Sequence, residues 1–327
     1  MTWGTVTLAD EPSELLLAFA AWHVSLGASG VHIFLDTPHR VVAKALRKIP
    51  GVQVTQCDEM FWAANGGRAP MQTKRQDIVA QMAYAEAEVD WLAHIDADEF
   101  LTVDGAAMTE LGAVPSGVVG LRIPVRERVW LEPPTTIFDG AFKVPVPGRL
   151  GLDRTLLGPL AKYTQRGLTG HTRGKTIVRT GSDLTLSIHG PKEPETLNLM
   201  EAQSLRLLHF DGLTPFHWLL KRLKYAAMPH AETKKRSDHY RWNQINALQE
   251  MDSPAEAHAF QEEVTVMGPE SAQQLRALRL LEDAPGFDPA AALATFGMED
   301  TILSVERFDK RLRRRDGAFI EAIGWDA

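Results

Sequence analysis

The chain has 327 residues, with 35 Lys or Arg against 42 Asp or Glu, a formal net charge of −7. Its 44% hydrophobic and 24% charged residues exclude a disordered, fibrous or collagen-like polymer, and the acidic balance argues against a nucleic-acid partner, which needs many phosphate-neutralising cations. A single cysteine, Cys57, excludes an intramolecular disulfide and any Cys-based zinc cluster.

The length fits one large domain with an appendage. Thr5 to Leu8 predicts a short strand, and Asp10-Glu11-Pro12-Ser13 opens a helix whose apolar face is Leu15, Leu16, Phe19, Trp22 and Leu26. Gly27 and Gly30 end it. Val31 to Leu35, Val52 to Thr55 and Trp91 to Ile95 read as further strands, with helices over Arg40 to Lys48 and Arg75 to Glu88 between them. The stretch Leu15 to Leu35 is broken by His23, Ser25, His32 and several glycines, and neither a basic n-region nor a small-residue cleavage site precedes it. A soluble cytoplasmic protein is expected.

Alternating strands and helices predict an α/β fold, a mostly parallel sheet flanked by helices. Ligands of such sheets sit beyond the carboxyl ends of the strands. Asp10, Asp36 and the group Asp96-Ala97-Asp98-Glu99 all fall just past expected strand ends, so three acidic clusters should share one edge. Loops over that edge are expected at Arg68 to Lys74 and at Pro133 to Pro159. Val119 to Val125, Lys175 to Arg179, Leu184 to His189 and Leu205 to Phe210 read as later strands. From Thr214 the pattern turns helical, which places a boundary near residue 213.

The chemically richest segment is Trp91-Leu92-Ala93-His94-Ile95-Asp96-Ala97-Asp98-Glu99-Phe100-Leu101. If the strand continues, Asp96 and Asp98 share a face and Ala97 points away. Two carboxylates ending an apolar strand are costly without a compensating cation, and a hard divalent ion, Mg²⁺ or Mn²⁺, would also keep open positions for phosphate oxygens.

The order "VTLADEP", "WHVSLG", "VHIFLD" and "WLAHIDADEFL" over residues 3 to 104 resembles the GT-A nucleotide-sugar glycosyltransferases, specifically a glycosyltransferase family 2-like group. "GLTGHTRGKTIVRTG", "SIHGP" and "LLHFDG" look like later blocks of that group. The resemblance implies a GT-A (Rossmann-like) catalytic domain over 1–212, a helical C-terminal region over 213–327, and inverting transfer of a monosaccharide from a UDP- or GDP-sugar to a glycan or lipid-linked acceptor. It implies that Asp98 holds the metal directly, and Asp96 directly or through a ribose or water. Asp10, Glu11 and Asp36 would line the nucleoside pocket, and Arg75 would face the nucleotide. Ala9-Asp10-Glu11 departs from the group's commoner Lys-Asn-Glu, which leaves the base open. His209 would be a third metal ligand, since many such enzymes bring a late histidine to the ion, and imidazole suits Mn²⁺ better than Mg²⁺.

His189 and His171 are candidate donor or acceptor contacts, and Lys175 and Arg179 could face a diphosphate. Inverting transfer needs a carboxylate base, for which Asp211 and Asp153 are the candidates and Glu127 the third. Gly174-Lys175-Thr176 is not a P-loop, because position 169 is threonine and a β-branched run follows. Basic runs at Lys221 to Lys224, Lys234 to Arg236 and Arg307 to Arg315 are solvated faces or a patch for an anionic glycan or the inner membrane surface. Trp130, Trp218 and Trp242 could stack on sugars or pack a core. A glycine- and lysine-free Leu8 to Glu14 argues against a nucleotidyltransferase, and a binding protein of the same fold without turnover is the alternative.

Overall fold

Thr5 to Leu8 occupy the middle of a fully buried strand, β1 (Trp3–Ala9), around which the first part of the computed structural model is built. The structure describes residues 1–104, 107–148, 151–227 and 239–324. It divides into two compact units that interleave along the chain. The first comprises Met1–Val125, Arg173–Leu208 and Gly286–Thr301; the second comprises Arg126–Thr172, His209–Pro285 and Ile302–Ala327. The chain passes from the first unit to the second at Leu208/His209, close to the expected boundary near residue 213, but the second unit also takes in Arg126–Thr172 and the first takes back Gly286–Thr301.

In the first unit, α1 (Ser13–Ser25), β2 (Gly30–Leu35), α2 (Arg40–Leu46) and β3 (Val52–Gln56) follow β1 as the sequence predicts. Two helices come next, α3 (Glu59–Ala64) and α4 (Gln72–Ala85), then β4 (Trp91–His94) and β5 (Glu99–Val103). The short α3, the start of α4 inside the expected loop and the strand after the acids were not anticipated. Asp58 caps α3 by accepting from the Phe61 amide at 2.8 Å. After α5 (Ala107–Ala113) comes β6 (Gly120–Ile123); β7 (Val125–Val129) and β8 (Ala141–Lys143) are followed by α6 (Leu152–Leu157). The remaining strands are β9 (Lys175–Arg179), β10 (Leu186–Ser187), β11 (Gly190–Pro191), β12 (Leu199–Glu201) and β13 (Leu205–His209).

The main sheet runs β12-β6-β9-β4-β1-β2-β3. β1 pairs in parallel with β2 and β4, and β2 with β3, as expected. β9 is antiparallel to both β4 and β6, so the sheet is mixed. One face buries Val6, Leu8, Phe34 and Leu92 against Trp62, Val79, Ala83 and Tyr84 of α3 and α4. On α1, Trp22 Nε1 donates to the Leu101 carbonyl at 2.7 Å, and His23 accepts the Leu101 amide at 3.2 Å. Burial drops the His23 pKa to about 4, so its ring stays neutral and accepting.

The second unit pairs β7, β8 and β14 (Leu281–Glu282) antiparallel around Val129, Ala141, Met267 and Leu275. Besides α6 its helices include α7 (Pro215–Ala226), α8 (His239–Gln249), α9 (Pro254–Thr265) and α10 (Pro269–Ala277), while α11 (Pro289–Thr295) belongs to the first unit and α12 (Val305–Ala322) to the second. Trp218 and Leu219 pack with Leu248, Phe260 and Val264. The mostly helical pattern expected after Thr214 is present. No described helix is long and apolar enough to cross a membrane.

Candidate functional site

β1, β2, β3 and β4 point the same way, so the residues that follow them gather at one edge of the sheet. The chain runs from β1 to β2 and β3 on one side and then returns to β4 on the other, which makes the β1–β4 boundary the switch point of the sheet. Asp10 follows β1 and is exposed, with Glu11 half-buried beside it. Asp36 follows β2, and its amide donates to the Ala9 carbonyl at 2.9 Å. The expected convergence of three acidic clusters holds.

Asp36 is only 5% exposed. Arg75 grips it with Nε at 2.9 Å and one terminal nitrogen at 2.6 Å, and Arg68 adds a contact at 3.0 Å. The remaining terminal nitrogen of Arg75 donates to the carbonyls of Ala69 and Pro70 at 2.8 and 3.0 Å. Arg75 thus fastens the loop before α4 to the end of β2 and, contrary to expectation, is consumed within the protein. Arg68, 49% exposed along its side chain, is the cation that faces a cavity here. That cavity, of about 540 Å³, opens past the ends of β2 and β3 and is lined by Asp36, Pro38, Cys57, Asp58, Trp62 and Arg68, among others. Its volume lies within the range of small-molecule sites. Burial and the neighbouring Asp36 push the Cys57 thiol up to about 12, which leaves it protonated and inert.

The second feature of the edge departs from expectation. β4 stops at His94, and Ala97 and Asp98 form a turn that leads into β5. The turn closes on itself: the Asp96 amide donates to the Glu99 carboxylate at 2.8 Å, and the Glu99 amide donates to the Asp96 carbonyl at 3.0 Å. Because these residues are not extended, the alternation rule does not place Asp96 and Asp98 on one face. Asp96 instead accepts from Gln76 Nε2 at 2.5 Å and from Lys175 Nζ at 2.8 Å, while Asp98 is half-buried on the turn.

Lys175 reaches this turn because β9 is antiparallel to β4 and starts where β4 ends. Its ammonium is fully buried and meets Asp96, Glu99 at 3.3 Å and the Ile188 carbonyl at 2.7 Å. These three acceptors match its three N–H donors, so Lys175 is an internal counter-ion and not the expected diphosphate contact. Burial opposes both charges, yet the pair outweighs it: Asp96 is held below the usual carboxylate range and Lys175 above the usual lysine range. Burial, reinforced by Lys175, lowers His94 to about 4, so it adds no charge. His189 is half-buried, with Nδ1 3.3 Å from the Gly174 carbonyl. Arg179, at the far end of β9, stacks on Trp91 at 4.3 Å and donates to the Val114 and Val118 carbonyls, away from the acidic edge.

The later candidates belong to the second unit. Glu127, fully buried on β7, accepts from the backbone and hydroxyl of Thr169, from the Gly170 amide at 2.8 Å and from His209 Nδ1 at 3.2 Å. A side chain at position 170 would overlap both the Glu127 carboxylate and the His209 ring, so glycine is required. The Nδ1 contact with Glu127 is the arrangement that presents the Nε2 of an imidazole to a metal. The His209 ring also stacks on His171, 4.8 Å between centroids.

Asp211 is not poised as a base. Its carboxylate is clamped by Arg222, accepts from Thr169 Oγ1 at 2.8 Å, and has Arg241 and Lys221 at 3.6 and 3.8 Å. Burial alone would raise its pKa, but these cations hold it well below the usual carboxylate range, so it has little affinity for a proton. Asp153, at the start of α6, is half-buried and accepts from the Arg154 amide at 2.9 Å. Trp130 and Trp218 are core residues, at 1% and 0% exposure, and Trp242 is half-buried. The basic run Lys234 to Arg236 lies outside the described residues.

Sequence reasoning missed Arg68, Trp62, Gln76 and the counter-ion role of Lys175 with Glu99. The adjacency of Glu99 to the Asp96-Ala97-Asp98 triplet was the one local signal available for any of them.

No protein-family model matches this chain, and no curated protein matches it. Among solved structures, S. aureus TarS residues 1–349, determined alone and in complex with UDP-GlcNAc, is 13% identical over 97% of this chain and 92% of its own, with a TM-score of 0.36. GalNAc-T7 with UDP, GalNAc and Mn²⁺ is 12% identical over 76% of this chain and 57% of its own, at a TM-score of 0.32. The galactosyltransferase LgtC, in complex with donor and acceptor sugar analogs, is 12% identical over 54% and 57%, at 0.25. Likenesses this remote assign no family, and the residues at the sheet edge carry the functional reading.

Proposed function

We propose that this chain is a metal-dependent glycosyltransferase of GT-A type, moving a monosaccharide from a nucleotide-diphosphate sugar to a hydroxyl of a glycan or lipid-linked acceptor. The observation that carries the reading is the carboxyl edge of the parallel strands, which gathers Asp10, Asp36 and the Asp96–Asp98 turn and carries, past β2 and β3, a cavity of about 540 Å³ lined by Asp36. Asp36 and Arg68 supply an acceptor and a cation in that cavity, suited to a nucleoside and its phosphates.

The turn offers carboxylate oxygens suited to Mn²⁺ or Mg²⁺. Each oxygen of Asp96 already accepts from a nitrogen donor, one of them a buried ammonium, which disfavours direct ligation. Asp98, half-buried on the same turn, is the proposed direct oxygen ligand, with Asp96 acting through a water or ribose hydroxyl. His209, held by Glu127, is retained as a candidate imidazole ligand. A bound ion would neutralise the departing diphosphate. The protein's own part is to hold the nucleoside at Asp36 and Arg68 and to fix the turn through Lys175, Gln76 and Glu99. Since Asp211 is engaged by three cations, Asp153 is the candidate base carried forward. A cytoplasmic location fits a supply of nucleotide-sugar donors.

The test is a thermal-shift screen of UDP and GDP with and without Mn²⁺, followed by an assay for nucleotide release from their sugars. The expected result is a Mn²⁺-dependent shift that Asp98→Ala abolishes together with donor turnover. Wild-type turnover in that variant would end the metal reading. The engagement of Asp96 by Lys175, and of Asp211 by Arg222, also favours a second reading, a nucleotide-sugar or glycan binder without turnover. Binding with no UDP or GDP release would establish that reading.

A further inference from the structure

The last helix separates its charges by face. Phe308, Leu312 and Ile320 of α12 are buried, and two of its acids turn inward with them. Asp309 accepts from the Thr214 hydroxyl at 2.5 Å, and Asp316 accepts from Lys224 at 2.6 Å and Arg315 at 2.8 Å. Opposite them, Arg307, Lys310 and Arg314 recur at helical spacing and are exposed, with Arg311 exposed beside them. Between Arg307 and Arg314 the outward face carries no acid, although the whole chain has a net charge of −7. Ile302, three residues before the helix, is 53% exposed.

We propose that this row docks on a membrane surface rich in anionic lipid, with α12 lying along the surface. Charge complementarity selects an anionic partner. The layout selects a plane: seven residues of helix spread the cations over about 10 Å in a line, on flexible stems. A line of this kind meets an array of headgroup phosphates, whereas a single soluble ligand needs donors that converge on it. Ile302 offers an apolar side chain at the end of the row.

The experiment is co-sedimentation of the full chain with vesicles of phosphatidylcholine alone or mixed with phosphatidylglycerol. Binding is expected only to the mixed vesicles and should weaken as salt rises. The variant Arg307→Gln/Lys310→Gln/Arg314→Gln should lose about fivefold in partitioning per charge removed, on the order of a hundredfold in all. Its thermal transition should match the wild type, because none of the three side chains is buried. Arg307→Lys/Arg314→Lys should keep binding, since lipid reads charge and not the guanidinium fork. Failure of the wild type to bind mixed vesicles, or equal binding by the neutralised variant, would overturn the proposal. Displacement by dextran sulfate at matched charge would reassign the row to soluble polyanions.

Discussion

Removing only the ammonium of Lys175 would leave Asp96 and Glu99 facing each other with no cation between them. Breaking a buried ion pair by deleting one partner typically costs about 3–5 kcal/mol, because the remaining charge stays desolvated. Lys175→Met is therefore expected to lower the unfolding free energy from urea titration by that order, and Lys175→Met/Glu99→Gln to recover a large part of the loss. Unchanged stability in the single variant would show that Lys175 is not the counter-ion of the turn. The same residues mark what could be read in advance. The acids were legible because ending an apolar strand with three carboxylates is locally conspicuous. Their neutralisation was not, because Lys175 is 79 positions from Asp96 and only strand order brings it there. Arg75 was legible as a site residue but not as the partner of Asp36, which depends on where two loops meet.

Elements with a complete hydrophobic period, from β1 through β4, emerge from the sequence because each buries a face of its own. α3 does not, since Trp62 is its only buried residue and one side chain defines no period. β9 reads correctly as a strand while its direction does not, because nothing local distinguishes an antiparallel neighbour. Gly174 is explained at this level as well: a side chain there would overlap the Ile123 carbonyl where β9 starts beside β6, so the glycine before Lys175 serves close strand approach. The contact between α7 and α12 carries a pH dependence. Burial raises Asp309 from 3.8 to about 6, against the opposing effects of Thr214 and Arg313. The folded state therefore binds this proton more tightly, and its stabilisation is full below the unfolded pKa and lost as pH rises through about 6. A shift of this size corresponds to roughly 2–3 kcal/mol. His23, His32 and His94, each lowered to about 4, bias stability the opposite way, so the comparison must be between proteins. Asp309→Asn should match the wild type near pH 4 and exceed it near pH 7 in urea unfolding. A constant difference across that range would show that Asp309 does not titrate with folding.

A division at residue 213 treats the chain as two consecutive blocks, and the helical pattern after Thr214 supports it locally. The contacts show why such a division fails, because each compact unit draws on three separate segments. Composition cannot reveal this: a helix that returns to an earlier partner looks the same as one that starts a new domain. α11 returns to α1 in the first unit, where Leu293 is 1% exposed and the Phe287 ring packs edge-on against Trp22 and Phe100. α12 completes the second unit with Phe308, Leu312 and Ile320. A chain truncated after Pro285 keeps every candidate site residue and every strand described above, yet removes a buried element from each unit. Four large buried side chains at about 1.5–3 kcal/mol each forfeit roughly 6–12 kcal/mol, comparable with the whole stability of a typical domain. The truncated chain should therefore show no cooperative thermal transition and no nucleotide-dependent shift, with early proteolysis in both units. Truncation after Thr301 restores α11 alone, and protease protection should return to α1 and β5 while the second unit stays open. Cooperative unfolding of the chain ending at Pro285 would show that the C-terminal helices are appended to a self-sufficient domain instead of built into both units.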